Sequence, residues 1–429
     1  MLLLLLLPLI GMLPLRAAAA AEANGQQQHI AVIVARGDAG PAIDAVLAGM
    51  ADYIELLNRR DGGINGVRLV WDDCGSVMEA PGEGPCAEQV THDRVAIALP
   101  GGLSPALAER SRAERIPLLM PADASSLGVD GRADRYAFTL LAGPLRQAAA
   151  RLQFIADREG GIDRLRGKRI AYLHAAQPSR HEVGELLERQ AAEYGFALDQ
   201  HSIVASVEAA AEVWQAIHRD AVDWVLLDTA GPATSAALRA AARVGFPADR
   251  IIGSAAAGDD EDIIAAGAAA IGYIAASPVP SGGNFLLLRD IRRHLPDAAA
   301  NAPNRRDAGY LRGIAQALLV GEAIRLAQRR YGARPIDSEQ LRWGLERLQL
   351  DDERLSRLGA LEMLPPSATS CSDHDAGDAV KFQQWLGGRW NVVSDWVGGD
   401  TAAVEAVIDT LARRRTRDGE PTAGNCPPE

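Results

Sequence analysis

From His29 onward, short apolar runs alternate with longer stretches of helical periodicity, and this alternation constrains the fold more than any other feature. His29 to Ala35 is a continuous apolar run, as a strand buried on both faces of a sheet requires. Helical spacing follows from Ala42 to Arg60, and Asp61-Gly-Gly-Ile-Asn-Gly66 then supplies the Gly and Asn that end a helix in left-handed geometry. Val67–Asp72, Val95–Leu99 and Ile116–Met120 read as further strands, with helices over 84–92 and 105–114. The pattern then restarts. Strands are expected at Arg169–Leu173, His201–Ala205, Asp223–Asp228, Ile251–Gly253 and Ile271–Ala275. Helices are expected at Leu145–Asp157, 181–194, Val207–His218 and Ala233–Val244. This spacing predicts an α/β fold with parallel sheets covered on both faces. The halves share a pattern but no sequence repeat.

Beyond Pro278-Val-Pro-Ser-Gly-Gly283 the character changes to helical stretches at 284–294, 308–330 and 337–349. Phe382–Trp385, the Gly387-Gly388 pair and Trp390–Trp396 predict a β-hairpin. Residues 397–429 read as an amphipathic helix with a polar, Pro-ended tail.

The compartment follows from the first residues. Met1 to Leu15 is almost wholly apolar, and Arg16 and a run of alanines follow, a secretory signal expected to be cleaved near Ala21 to Ala23. Export to the periplasm is expected, with the mature chain soluble. Lys+Arg number 44 against 56 Asp+Glu, a net charge of -12, which argues against nucleic-acid partners. Four cysteines, Cys74, Cys86, Cys371 and Cys426, allow three pairings in an oxidising compartment. Nearness in sequence favours Cys74–Cys86, leaving Cys371–Cys426; the alternative is a metal site at Cys371-x-x-His374. No G-x-S-x-G, H-E-x-x-H or P-loop pattern occurs, so no catalytic residue can be named and neither a cofactor nor a metal is expected.

Four stretches together resemble a known family. They are Glu55-Leu-Leu-Asn-Arg-Arg-Asp-Gly-Gly-Ile-Asn-Gly-Val-Arg-Leu69, Ile116-Pro-Leu-Leu-Met-Pro-Ala-Asp-Ala-Ser-Ser126, Asp223 to Gly245, and Tyr310-Leu-Arg-Gly-Ile-Ala-Gln-Ala. In order and spacing, over roughly 29–396, they resemble the extracytoplasmic substrate-binding proteins of branched-chain amino-acid-type ABC importers, the type I periplasmic binding fold, leucine-binding-protein-like. The resemblance implies two doubly wound lobes joined by three hinge crossings, near Leu141–Pro144, Ala276–Pro280 and 350–380. It implies a signal at 1–23, an N-terminal lobe of 24–142 plus 278–350, a C-terminal lobe of 143–277 plus 351–396, and a tail over 397–429. It also implies a monomer that closes over a small polar ligand, an amino acid or small organic acid, and delivers it to a membrane permease. A receptor serving sensing or a periplasmic oxidation system is an alternative on the same fold, and an exported α/β enzyme a weaker one.

Ligands of open parallel sheets bind beyond the carboxyl ends of strands, where helix N-termini attract anions. Pro100-Gly-Gly102-Leu-Ser104-Pro105 combines close backbone approach with a helix cap, and the resemblance places a ligand loop there. Ala124, Ser125 and Ser126 offer backbone and hydroxyl groups at the next strand end. Arg36 and Asp38 end the first strand, and either a ligand contact or a surface ion pair fits them. In the second lobe, Ser179 and Arg180 stand where the family commonly has Tyr-Gly. Asp228 could accept from an amino group or face a helix dipole, with Thr229 beside it. Asp259 opens an acidic run, Gly258-Asp-Asp-Glu-Asp262, best read as the first turn of a helix. Aromatic residues are 5% of the chain, and none lies in these strand-end loops, which favours a small polar ligand over an aromatic-lined pocket.

Overall fold

The computed structural model describes residues 26–34, 40–76, 94–98, 105–120, 130–175, 178–203, 207–282, 284–296, 308–417 and 426. In the first lobe β1 (Gln27–Val34), β2 (Arg68–Ser76), β3 (Arg94–Ala98), β4 (Leu118–Met120) and β5 (Ala137–Thr139) form a wholly parallel sheet in the order β2-β1-β3-β4-β5. Because all five run the same way, the strand ends Val34, Ala98 and Met120 share one edge. Helix α1 (Gly40–Asp61) stops where the sequence requires. Gly62, Gly63, Asn65 and Gly66 all have positive φ, and a Cβ on Gly63 would lie 2.1 Å from the Val67 carbonyl oxygen. The next described helix is α2 (Pro105–Glu114).

In the second lobe, helices α3 (Pro144–Glu159), α4 (Pro178–Tyr194), α5 (Val207–Arg219), α6 (Pro232–Arg243) and α7 (Asp260–Ala266) alternate with β6 (Arg169–His174), β7 (Ala197–Ser202), β8 (Trp224–Asp228), β9 (Ile251–Gly253) and β10 (Ile274–Ser277). The chain then returns to the first lobe through α8 (Leu286–His294), α9 (Ala308–Tyr331), α10 (Ser338–Leu345), the paired strands β11 (Gln349–Leu350) and β12 (Ser367–Ala368), and α11 (Asp352–Leu358). It crosses back as β13 (Ala379–Trp385), β14 (Trp390–Val392) and β15 (Val397–Gly398), antiparallel additions that complete the order β14-β13-β10-β9-β8-β6-β7, with β15 on β13. Helix α12 (Thr401–Arg417) covers α3 and α4 through Val404, Val407 and Ile408.

Several elements differ from the sequence reading. β7 begins at Ala197 and not His201, because it is an edge strand whose residues stay partly exposed and so lack the apolar run that marks a central strand. β5, three residues long, was not anticipated. The helix expected over 84–92 lies outside the described residues. The segment 351–364, expected in the second lobe, packs in the first: Leu355, Ala360, Met363 and Leu364 join one core with Leu311 and Ile314. The crossing comes later, where the apolar residues give out.

Three passages join the lobes: Leu140–Gly143 after β5, Ser277–Val279 after β10, and Ser370–Asp378 before β13. The first and third touch, since a Cβ on Gly377 would lie 2.4 Å from the Ala142 nitrogen. Asp375 binds them together by accepting from the backbone N–H groups of Gly143 (3.1 Å) and Gly377 (3.2 Å). Arg146 at the start of α3 faces Asp373, Asp375, Asp378 and Glu405 at 2.8, 3.2, 2.7 and 3.4 Å. Burial pushes Asp375 up to about 8 in spite of Arg146. His374 stacks on Phe138 with centroids 3.9 Å apart, and burial lowers it to about 4.

The cysteines resolve in part. Cys371 and Cys426 form a disulfide, so Cys371 is no metal thiolate, and no metal-binding cluster occurs among the described residues. The Cys74 side chain and all of Cys86 lie outside them. No described helix is long and apolar enough to cross a membrane.

Candidate ligand-binding site

The second lobe presents its strand ends as a buried charge network. β6 and β8 are adjacent and parallel, so His174 lies opposite Asp228 at the same edge. Asp228 has no exposed surface. Its carboxylate pairs with Arg180 Nη1 at 2.7 Å and Arg151 Nη2 at 3.2 Å, and accepts from Tyr172 Oη at 3.0 Å and from Ser254. Burial alone would raise its pKa; the two guanidiniums outweigh that and hold it below the ordinary carboxylate value. The same burial, with Asp228 adjacent, pushes the Tyr172 phenol far above its usual range, so it stays a donor.

Each partner arrives from a different element. Arg180 sits in the first turn of α4, directly beyond β6. Arg151 comes from the middle of α3, on the face that also carries Gln147 and Ile155 at spacings of four. Gln147 makes a second tie: its Nε2 donates to the Ala142 oxygen at 2.7 Å, and its Oε1 accepts from the Ala255 N–H at 3.0 Å. The first hinge passage is thereby pinned to the loop after β9.

Several expected site residues are engaged within the protein. Arg151, Arg180, Tyr172 and Ser254 converge on the Asp228 carboxylate. Thr229 is also sealed: it is 1% exposed, and its Oγ1 lies 2.9 Å from Thr234 Oγ1 in the first turn of α6. Asp259 precedes α7 and pairs with Arg312 of α9. Burial and the neighbouring Asp259 raise Asp262 to about 6. Arg180 is where the ligand edge was expected. The Ser179 side chain, and Arg36, Asp38, Gly102, Ser104, Ala124, Ser125 and Ser126, lie outside the described residues.

Sequence reasoning missed Arg151, Tyr172, Gln147 and Arg312. For Arg151 a signal existed: a charged residue in register with the buried stripe of α3 must find a partner inside the protein. For Arg312 none did, because its partner stands on the other lobe.

Comparison with known proteins agrees with this architecture. The profile of the periplasmic binding protein family matches residues 27–389. A crystal structure from the Pseudomonas fluorescens group, described as an ABC transporter permease, is 33% identical with a TM-score of 0.88, covering 94% of this chain and 100% of that one. A branched-chain amino-acid ABC transporter protein of Thermus thermophilus with bound valine is 18% identical with a TM-score of 0.68, covering 89% and 98%. An ABC transporter solute-binding protein of R. palustris in complex with benzoate is 14% identical with a TM-score of 0.63, covering 87% and 98%. No protein of curated function matches. With two lobes, three crossings and a profile match over most of its length, the chain belongs to the periplasmic binding protein family, the extracytoplasmic substrate-binding components of ABC transporters.

Proposed function

We propose that this protein captures a small carboxylate ligand between its lobes and delivers it to the permease of an ABC importer. It acts as a monomer outside the cytoplasm after cleavage of its leader near Ala21 to Ala23. Its partners are the ligand and the permease, and nucleic acid is not one. The fold's ligand chemistry in relatives, valine in one and benzoate in another, supports a small carboxylic acid. Closure of the lobes, and not covalent chemistry, is the working step.

The observation that supports the narrower reading is the convergence of Arg151, Arg180, Tyr172 and Ser254 on Asp228. An α-amino acid needs an anionic acceptor for its ammonium group, and this carboxylate already serves two guanidiniums. Arg180 stands in the first turn of α4 at this strand edge, and a guanidinium suits a ligand carboxylate. An organic acid without an ammonium group is therefore favoured. Arg36, Asp38, Gly102, Ser104, Ala124, Ser125, Ser126 and Ser179 are the residues this reading assigns to the remaining contacts.

A thermal-shift panel tests this. At about 100-fold excess over Kd a ligand adds roughly 2.7 kcal/mol. Benzoate-type or aliphatic carboxylates should raise Tm, and native mass spectrometry should show one ligand per chain. A panel in which only α-amino acids shift Tm would overturn the organic-acid reading. A panel of metabolites in which nothing shifts Tm would overturn solute capture itself.

A further inference from the structure

Arg312 stands near the start of α9, a helix of the first lobe whose Leu311 and Ile314 are fully buried in that lobe's core. Its guanidinium leaves that lobe. Nη1 lies 3.5 Å from the Ala255 carbonyl oxygen, and Nη2 pairs with the Asp259 carboxylate. Both partners belong to the second lobe, where Ala257 and Ile263, on either side of Asp259, pack with Tyr273 and Ala275. Asp259 is not spent on capping α7, which it precedes. The acidic turn that follows is otherwise engaged: Trp390 Nε1 donates to Asp260 at 2.7 Å, and Asp262 takes a backbone hydrogen bond from Gly231. The two side chains are 14% and 20% exposed, so the pair is drier than a surface salt bridge and is screened less by salt.

An ion pair between two bodies that open and close acts only in the arrangement that brings its members together. It therefore biases the equilibrium by its own strength, whatever ligand is present. We propose that Arg312 and Asp259 form a latch across the cleft that sets the balance between open and closed lobes in the ligand-free protein. Asp259 is then a positioning residue, not a ligand contact. The pair sets affinity for every ligand by the same factor, because it fixes the fraction of molecules in the competent arrangement. This stands on the contact between lobes and is independent of which ligand is carried.

Small-angle X-ray scattering on the ligand-free mature chain tests it. The variants are Arg312→Gln, Asp259→Asn, the double variant, and the exchange Arg312→Asp with Asp259→Arg. Each single substitution should shift the radius of gyration from the wild-type value, the double should shift it no further, and the exchange should bring it back toward wild type. Non-additivity and rescue are outcomes that a merely structural role would not produce. Scattering curves of the single variants that superimpose on wild type would overturn the latch, as would a double variant whose shift is the sum of the two. Should Arg312→Gln not fold, Arg312→Lys decides: it keeps the charge but cannot reach both the carboxylate and the Ala255 oxygen, so a smaller shift in the radius of gyration is expected and no shift refutes.

Discussion

Replacing Asp228 by asparagine preserves the side chain's shape and removes its charge. Asp228 and Arg151 have no exposed surface and Arg180 only 4%, so neither guanidinium can turn to water to compensate. In the wild type the Asp228 carboxylate pairs with two cations, at 2.7 and 3.2 Å; the variant loses that negative charge, and the new amide NH2 adds a donor among donors. Removing one partner of a buried pair costs about 3–5 kcal/mol. For a lobe of ordinary size each kcal/mol moves Tm by about 2–4 °C, so calorimetry should show a fall of about 6–20 °C. Tyr172→Phe deletes only one neutral donor to the same carboxylate and should cost about 1 kcal/mol. The pH dependence has a definite sign. Asp228 is held below its ordinary value in the folded state, so its contribution is fully present above the unfolded carboxylate range near 3.9 and is lost as pH falls through the lower folded value. Wild type and variant should therefore converge only in strong acid. A loss below about 1 kcal/mol at neutral pH, with ligand binding abolished, would refute the reasoning, because it would mean that the carboxylate faces the ligand and not the arginines.

Two further outcomes are expected. A Cβ on Gly313 would lie 1.9 Å from the Val46 oxygen, and one on Gly49 2.0 Å from the Tyr310 oxygen, so α1 and α9 meet backbone to backbone; Gly313→Ala should cost about 3 kcal/mol or more in urea unfolding, and a cost near zero would show that the helices can part freely. The Cys371–Cys426 bond spans 55 residues, so the Cys371→Ser/Cys426→Ser variant should lose about 4 kcal/mol on the chain-entropy account, read as a lowered urea midpoint, and an unchanged midpoint would contradict it.

What the sequence reveals here follows from where each residue's partners lie. Ile251–Gly253 and Trp224–Asp228 are central strands buried on both faces, so their own composition marks them. β7 sits at an edge and alternates partly exposed residues, and its neighbour Ile203-Val-Ala205 looked more like a strand than it did. That His174 and Asp228 end side by side was legible because parallel strands finish at the same edge of a sheet. The partners of that edge were not, since Arg151 reaches Asp228 across 77 residues and Arg312 reaches Asp259 across 53. Periodicity records only which face of an element is buried. Even so, it places Arg151 one helical repeat from Gln147 and from Ile155, on the buried face of α3, and a cation there demands a buried anion. Arg180 is a second cation at the strand edge. Two surplus cations converging on one carboxylate mean that the carboxylate is already occupied. The apolar pattern therefore specifies two lobes, whereas the buried network that Arg151 and Arg180 build on Asp228 joins residues too far apart in sequence for that pattern to link.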